Sequence, residues 1–423
     1  MSNSVYEALT PQTLGERLGK LDVLTEYLGT DISTWSVKEV GDGNLNLVFI
    51  VESASGSVIV KQALPYVRLV GDSWPLPLSR AFFEYHALKR QALRDPGSVP
   101  EIYHFDEEQA LIIMEFLTPH IILRHDLMSA TRHEILAEVL GNFVARTLFR
   151  GSDLSMNAAE RKQDVALFAG NDKLCDITEN LIFNDPYFDA EMNRHTTPHL
   201  DGVVSELRAD MDLKVEVQHL KSIFCANAET MLHGDLHTGS VMVTPSDVKV
   251  IDPEFALYGP MGFDVGMLLA NFYMAYFAQP GHIADAEGCT DYQAWILQVC
   301  EDIWQHFVSE FSHLWRTERT GILYPASLYE DQGHHLASEQ ALTQMLSKIW
   351  QDMLGFCGVE MHRRILGLAH TAELDTIEDE ALRARCETKA LLFGRHLIKN
   401  RHALGAPADL SRLALVMEKE TRA

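Results

Sequence analysis

Asp235 lies in the stretch HGDLHTGS (residues 233–240), between two histidines and two glycines, and seventeen positions later the stretch IDPEF opens a pair of acids, Asp252 and Glu254. Two kinds of chemistry fit these residue types. His233 and His237 stand four apart and could share one face of a helix and one zinc ion, as in an HExxH site. Gly234 and Gly239 argue against that helix, the acid falls at the second position after the first histidine, and no third ligand is suggested nearby. The other chemistry is a rigid loop that holds Asp235 outward while the histidines fix it through hydrogen bonds. Phosphoryl transfer to an alcohol needs such an acid, to orient the hydroxyl and accept its proton. Alternation in an extended segment would send Asp252 and Glu254 the same way, so that both reach one Mg2+ site.

Elements to position these groups can be read from the pattern around them. Up to about residue 117 the sequence is strand-rich: WSVKEV, LNLVFIVES and SVIVKQAL are β-branched runs separated by GDGN and SASG. A helix is expected from Ser79 through SRAFFEYHALKRQAL to a stop before DPGS, followed by EIYHF and ALIIMEFL as further strands. From about residue 129 helical spacing dominates, with Ile135, Leu136, Val139, Leu140, Phe143, Val144 and Leu148 at steps of three and four. Only VMVTP and VKVID interrupt it, as two short strands whose hairpin would bring Asp252 and Glu254 close to Asp235. Asp264 is expected to cap the apolar helix that follows and to brace the acid loop.

Composition narrows the class of molecule. With 423 residues, 47% of them apolar and 22% charged, the chain can bury a large core in two domains or lobes. A formal charge of −25 excludes a generic nucleic-acid binder, which needs a basic surface, so any phosphate must be met by metal ions or a few local cations. Six cysteines with no CxxC pair, and an amino terminus without an apolar signal core, point to a reduced, cytoplasmic setting. The longest apolar run, VGMLLANFYMAYFA at 265–278, is too short to span a bilayer and reads as a buried core helix.

HGDLHTGSVMV followed by VIDPEFALYGPMGFDVG resembles the catalytic segment of the aminoglycoside phosphotransferase and choline kinase group, relatives of the protein kinases. Together with the twin arginine in EMHRRILGLAHTAELDTIED, the details resemble the methylthioribose kinases within that group. Most of the wider group have Asn five residues after the catalytic acid; Ser240 stands there, as it does in methylthioribose kinases, and Glu254 is the natural substitute as a metal ligand.

The resemblance implies an α+β, bilobal protein-kinase-like fold, with a small β-rich nucleotide-binding lobe over 1–117 and a larger, mostly helical catalytic and substrate-binding lobe over 118–423. It implies transfer of the γ-phosphate of ATP to the anomeric hydroxyl of 5-methylthioribose, with Asp235 as base and Asp252 and Glu254 on Mg2+. GDGNLN then sits where a phosphate-covering loop belongs, with Asn44 approaching the nucleotide. Lys61 falls on the following strand, where it would contact the α and β phosphates and pair with Glu84. MEFL, with Glu115, Phe116 and Leu117, resembles the adenine-reading hinge, and Pro253 falls between the two metal acids. Trp74 would belong to a flap over the substrate. Arg363 and Arg364 would bind the acceptor, although neighbours on a helix point about 100° apart and at most one should face the site squarely. A homodimer is also implied. Alternatives are a kinase for an aminoglycoside, choline or homoserine, disfavoured because a cationic acceptor would want an acidic pocket, and a silent nucleotide-binding module, disfavoured by intact Asp235, Asp252 and Lys61.

Overall fold

The computed structural model describes residues 6–40, 45–67 and 71–420; residues 41–44, and with them the expected nucleotide contact of Asn44, lie outside the described residues. The chain forms two compact units. One comprises residues 1–120 together with Asn171–Leu174 and Lys249–Ala256, and the other the remainder.

The first unit is built on a five-stranded antiparallel sheet, in the order Ser36–Glu39, Asn46–Glu52, Ser57–Ala63, Leu111–Glu115, Ile102–Asp106. The β-branched runs behave as expected: Phe49, Val51, Val58 and Val60 fall on one face by the period of two and are fully buried. That face is covered by two short helices, Leu14–Leu18 and Asp22–Leu28, which the strand-rich reading of this region did not anticipate. Leu14, Leu18, Leu24 and Leu28 fill one cluster with the sheet residues, each full burial stabilising by about 1.5–3 kcal/mol. Lys61, in register with Val48 and Ile112, points to the opposite face. There the helix Arg80–Arg94 lies, with Ala81, Glu84, Ala87, Leu88 and Gln91 buried at helical spacing.

The second unit is mainly helical. Gly262–His282 runs through its centre, buried from Gly262 to Gln279 on every side, and packs against His335–Leu366, Ala286–Thr317 and Glu380–Asn400. The contact with His335–Leu366 is close because two glycines face it. A Cβ on Gly262 would meet the Met353 nitrogen at 2.7 Å and the Ile349 oxygen at 2.8 Å, and one on Gly266 the Met353 oxygen at 2.8 Å. Among the described residues no helix is long and apolar enough to cross a membrane. Short strands frame the acid loop: Thr230–Met231 pairs with Tyr258–Gly259, and Val241–Val243 with Ile121–Ile122. A turn closed by the Thr244 N–H on the Asp247 carbonyl follows.

Candidate active site

Lys61 is buried in the first unit, and its ammonium reaches the Glu84 carboxylate at 2.8 Å and also hydrogen-bonds Asp252. Burial opposes its charge, but Asp252, Glu84 and Glu254 outweigh burial and hold its pKa above the usual lysine value. Glu84 and Glu254 are both pushed above the usual carboxylate range, first by burial and then, against Lys61, by neighbouring carboxylates. Glu254 is held in place by residues that the sequence did not single out. Asn46 donates to its Oε2 at 3.1 Å, Arg80 stands 3.5 Å from the same oxygen, and Arg80 also donates to Asn46 Oδ1 at 3.1 Å. Asn171 donates to the backbone carbonyls of Glu254 and Ala256. Arg80 carried a readable signal: a cation in the first turn of a helix opposes the helix dipole and needs a reason to be there.

Asp252 and Glu254 do converge, though not by strand alternation. The chain leaves the strand Val248–Val250 before Asp252, which takes a left-handed φ of +69°, and Pro253 is buried behind it. With Glu84 they form the one group of three possible metal ligands among the described residues, each offering an oxygen within 4.8 Å of the others. Three carboxylates against Lys61 and Arg80 leave an excess of negative charge, and hard oxygen donors suit a hard divalent cation. The group fits such an ion. No histidine belongs to it. Glu115 ends its strand with its N–H on the Glu101 carbonyl at 2.8 Å, and Phe116 and buried Leu117 follow. Trp74 is half-buried in the strand Gly71–Pro75, which pairs with Tyr66–Val67.

In the second unit the stretch from His233 to Ser240 is a loop, as the glycines required. Gly234 takes a left-handed φ of +86°. Asp264 accepts from the His233 N–H at 2.6 Å and the Gly234 N–H at 3.0 Å, which confirms the brace. It is not the helix cap, since the cap residue is Met261 and Asp264 sits inside the first turn. His233 Nδ1 accepts the Asp235 N–H at 3.3 Å, and His237 Nδ1 accepts the Gly239 N–H at 3.0 Å. That bond assigns the His237 proton to Nε2, which lies 3.4 Å from Asp235 Oδ2. Both histidines therefore fix the loop, and the zinc arrangement is not formed. The Ser240 hydroxyl lies 3.3 Å from both the Asp235 carbonyl and His237 Nδ1.

Both arginines reach Asp235, against the expectation that only one would. Arg364 donates to Oδ1 at 2.9 Å and Arg363 to the same oxygen at 3.2 Å. Their length spans the angular offset, and Glu360, one turn earlier and fully buried, meets both: Oε1 accepts from Arg364 Nε at 2.6 Å, while Arg363 Nε stands 3.2 Å from Oε2. Burial opposes charge on Asp235, yet His237, Arg364 and Arg363 outweigh it and hold its pKa well below the usual carboxylate range. Burial lowers the His237 pKa, against the pull of Asp235. The acid is thus held in its ionised form, with its Oδ2 edge turned toward an imidazole N–H and its Oδ1 toward guanidinium. Glu360 was not singled out by the sequence reading, although a lone acid in the apolar run MLGFCGVEM was a signal that could have found it.

An ionised acid in a braced loop, a buried Lys–Glu pair and a three-carboxylate cation group define a phosphotransferase of the kinase-like α+β class. The chain belongs to the phosphotransferase enzyme family, which matches over residues 36–296. Its relatives are narrower in kind: it is 46% identical to a methylthioribose kinase of Escherichia coli O45:K1 (strain S88 / ExPEC) over 94% of each chain, and 43% identical to methylthioribose kinase 1 of Oryza sativa subsp. japonica over 89% of this chain and 88% of that one. Among solved structures, a glucosamine kinase in complex with glucosamine, ADP and inorganic phosphate aligns over 98% of this chain and 89% of that chain, at 14% identity and a TM-score of 0.48.

Proposed function

We propose that this chain is an ATP-dependent small-molecule kinase that phosphorylates 5-methylthioribose at its anomeric hydroxyl, giving the 1-phosphate for methionine salvage. The observation that carries the proposal is the Asp235 carboxylate held ionised between Arg363 and Arg364 at 3.2 and 2.9 Å, in a chain so similar to methylthioribose kinases. Residues 1–117 bind the nucleotide. Lys61, kept charged by Glu84, contacts its phosphates, Glu115, Phe116 and Leu117 read the adenine, and Asn44 approaches from the phosphate loop. Asp252 and Glu254, around Pro253, hold Mg2+, which would offset charge on the phosphate oxygens. Residues 118–423 supply the acceptor groups. Asp235 orients the hydroxyl and takes its proton as the phosphoryl group leaves ATP. So acidic a carboxylate is a weak base, which suits a loose transition state where proton transfer comes late. Arg363 and Arg364 satisfy ring hydroxyls and offset charge on the transferred group, with Trp74 in a flap on the substrate side. The cytoplasm is the compartment in keeping with the cysteine pattern, and a homodimer the assembly in keeping with the resemblance.

The test is ATP consumption with a panel of acceptors: methylthioribose, ribose, choline, homoserine and an aminoglycoside. Methylthioribose should be used best. Ribose lacks the thiomethyl group and should be about 10- to 200-fold poorer in kcat/KM, the usual worth of one small apolar group. Ribose used equally well, or a cationic acceptor used better, would overturn the substrate and leave only the kinase.

A further inference from the structure

The acid loop is braced at its first residues by Asp264, and a second buried carboxylate meets its far end. Glu373 is 1% exposed, in the helical turn Ala372–Asp375. Its Oε1 accepts from the Thr238 hydroxyl at 3.1 Å and from Arg124 Nε at 3.0 Å, and its Oε2 from the Thr371 hydroxyl. Thr238 is fully buried and opens the turn Thr238–Ser240, whose Ser240 hydroxyl lies against the Asp235 carbonyl. Arg124 is fixed in turn by Asn271 Oδ1 at 3.0 Å, and Asn271 donates to the Met267 carbonyl within the buried central helix. The backbone carbonyl of Glu373 accepts from His282 Nε2, 2.7 Å away, at the end of that same helix. Burial opposes charge on Glu373, but Arg124 and the hydroxyl donors outweigh it and keep the carboxylate ionised.

Two carboxylates therefore grip the loop from its two ends: Asp264 on the N–H groups of His233 and Gly234, Glu373 on the hydroxyl of Thr238. Asp235 lies between the grips. A charge-assisted bond from a fully buried hydroxyl is directional and, with no water to replace it, expensive to lose. We propose that Glu373 is a positioning residue for the reaction: anchored on Arg124, it fixes Thr238 and through that turn the direction of the Asp235 carboxylate. The proposal rests on the kinase reading only in taking Asp235 as the group that orients the acceptor. Glu373 makes none of the hydrogen bonds described above to Asp235, Arg363 or Arg364, and it reaches Arg364 through its charge alone.

The experiment compares Thr238→Val, Thr238→Ser and Glu373→Gln with wild type by steady-state kinetics on methylthioribose and by amide hydrogen exchange over residues 235–240. Valine keeps the shape and removes the donor; serine restores it. Thr238→Val should lower kcat by about 10- to 100-fold, as expected when a reacting group is displaced on the order of 1 Å, with the KM for ATP within about twofold of wild type. Its loop amides should exchange faster, and Thr238→Ser should restore both readouts. Glu373→Gln, which keeps an acceptor and loses the charge, should fall on the side of Thr238→Val. Wild-type exchange in Thr238→Val, whatever its kcat, overturns the proposal, as does a Thr238→Ser as slow as Thr238→Val. Should wild type not turn over methylthioribose, the substrate reading fails while the exchange comparison still decides whether Glu373 orders the loop.

Discussion

Around Lys61 three carboxylates, Glu84, Asp252 and Glu254, face two cations, Lys61 and Arg80, whereas around Asp235 two carboxylates, Asp235 and Glu360, face two guanidinium groups. The first cluster is short of positive charge, and two of its acids are pushed toward protonation. The second is balanced, and its acid is driven the other way. Burial alone would raise Glu84, Glu254 and Asp235 alike, so the difference comes from the cations and donors within reach of each: Lys61 and Arg80 for the first two, and His237, Arg364 and Arg363 for Asp235. On the proposed function, a cluster with charge to spare suits a metal ion, and a balanced one suits an acid held ionised beside donors for a neutral, hydroxyl-rich acceptor.

The comparison is broken most severely at Asp235. Asp235→Asn keeps the shape, loses the charge, and should reduce turnover by about 100- to 10,000-fold, with nucleotide affinity unchanged by calorimetry. If affinity for ATP fell in parallel with turnover, the two clusters would not be serving separate partners. A smaller effect should distinguish the two arginines. Arg364 makes two directed bonds, at 2.6 Å to Glu360 and 2.9 Å to Asp235, while Arg363 makes one, at 3.2 Å, and its Nε lacks a hydrogen bond. Arg364→Lys should therefore cost more, roughly 10- to 100-fold in kcat/KM for the acceptor, from about 1.5–3 kcal/mol for bonds to a charged group, and Arg363→Lys less than 10-fold on the same scale. Steady-state kinetics on both variants would show equal losses if the hydrogen-bond asymmetry carried no weight.

The smallest effect is in pH. Glu254 is held above its ordinary value of 4.5, so the native protein binds more protons there than the unfolded chain. Stability from this group is fully present below that value and is lost as pH rises through the higher native one. Without divalent ions, Glu254→Gln should narrow the difference in melting temperature between pH 5 and pH 8 by about 2–4 °C for each kcal/mol involved. Divalent ions should narrow it in wild type as well, because they displace the proton. An unchanged difference in both cases would mean that the cluster has no excess charge. At Asp235 the sign is reversed: its native pKa is depressed, so its contribution is present at neutral pH and lost only in strong acid.

The acids and the lysine were legible because their residue types sit in turns and on a strand where plain structure does not ask for them. The strands were legible from the β-branched runs, and the helix of Arg80–Arg94 from its start near Ser79 and its stop before DPGS. What could not be read was partnership. Asn46 finds Glu254 at a sequence separation of 208 residues, and Arg124 finds Glu373 at 249. Nothing local marks Glu360 as a clamp for the two arginines that follow it in a helix buried on nearly every side from Asp352 to Leu366, so its role was not read. The helices Leu14–Leu18 and Asp22–Leu28 did show leucines at steps of three and four, but each is one or two turns long and Gly19 breaks the run. The convergence of Asp252 and Glu254 was anticipated for a reason that fails, since a left-handed backbone at Asp252 does what alternation was expected to do.

Gly262 and Gly266 let two helices touch backbone to backbone, one carrying Asp264 and the other ending in Arg363 and Arg364. The loop brace and the guanidinium pair are therefore cast in a single piece, and neither helix can slide along the other without a peptide group climbing over its neighbour. Drift toward a new acceptor is thereby channelled. Exposed loops can vary residue by residue, while the arginines can be re-aimed only by remaking a helix contact closed on two glycines, so, on the proposed function, a lineage that starts here would keep its guanidinium pair and vary what surrounds it.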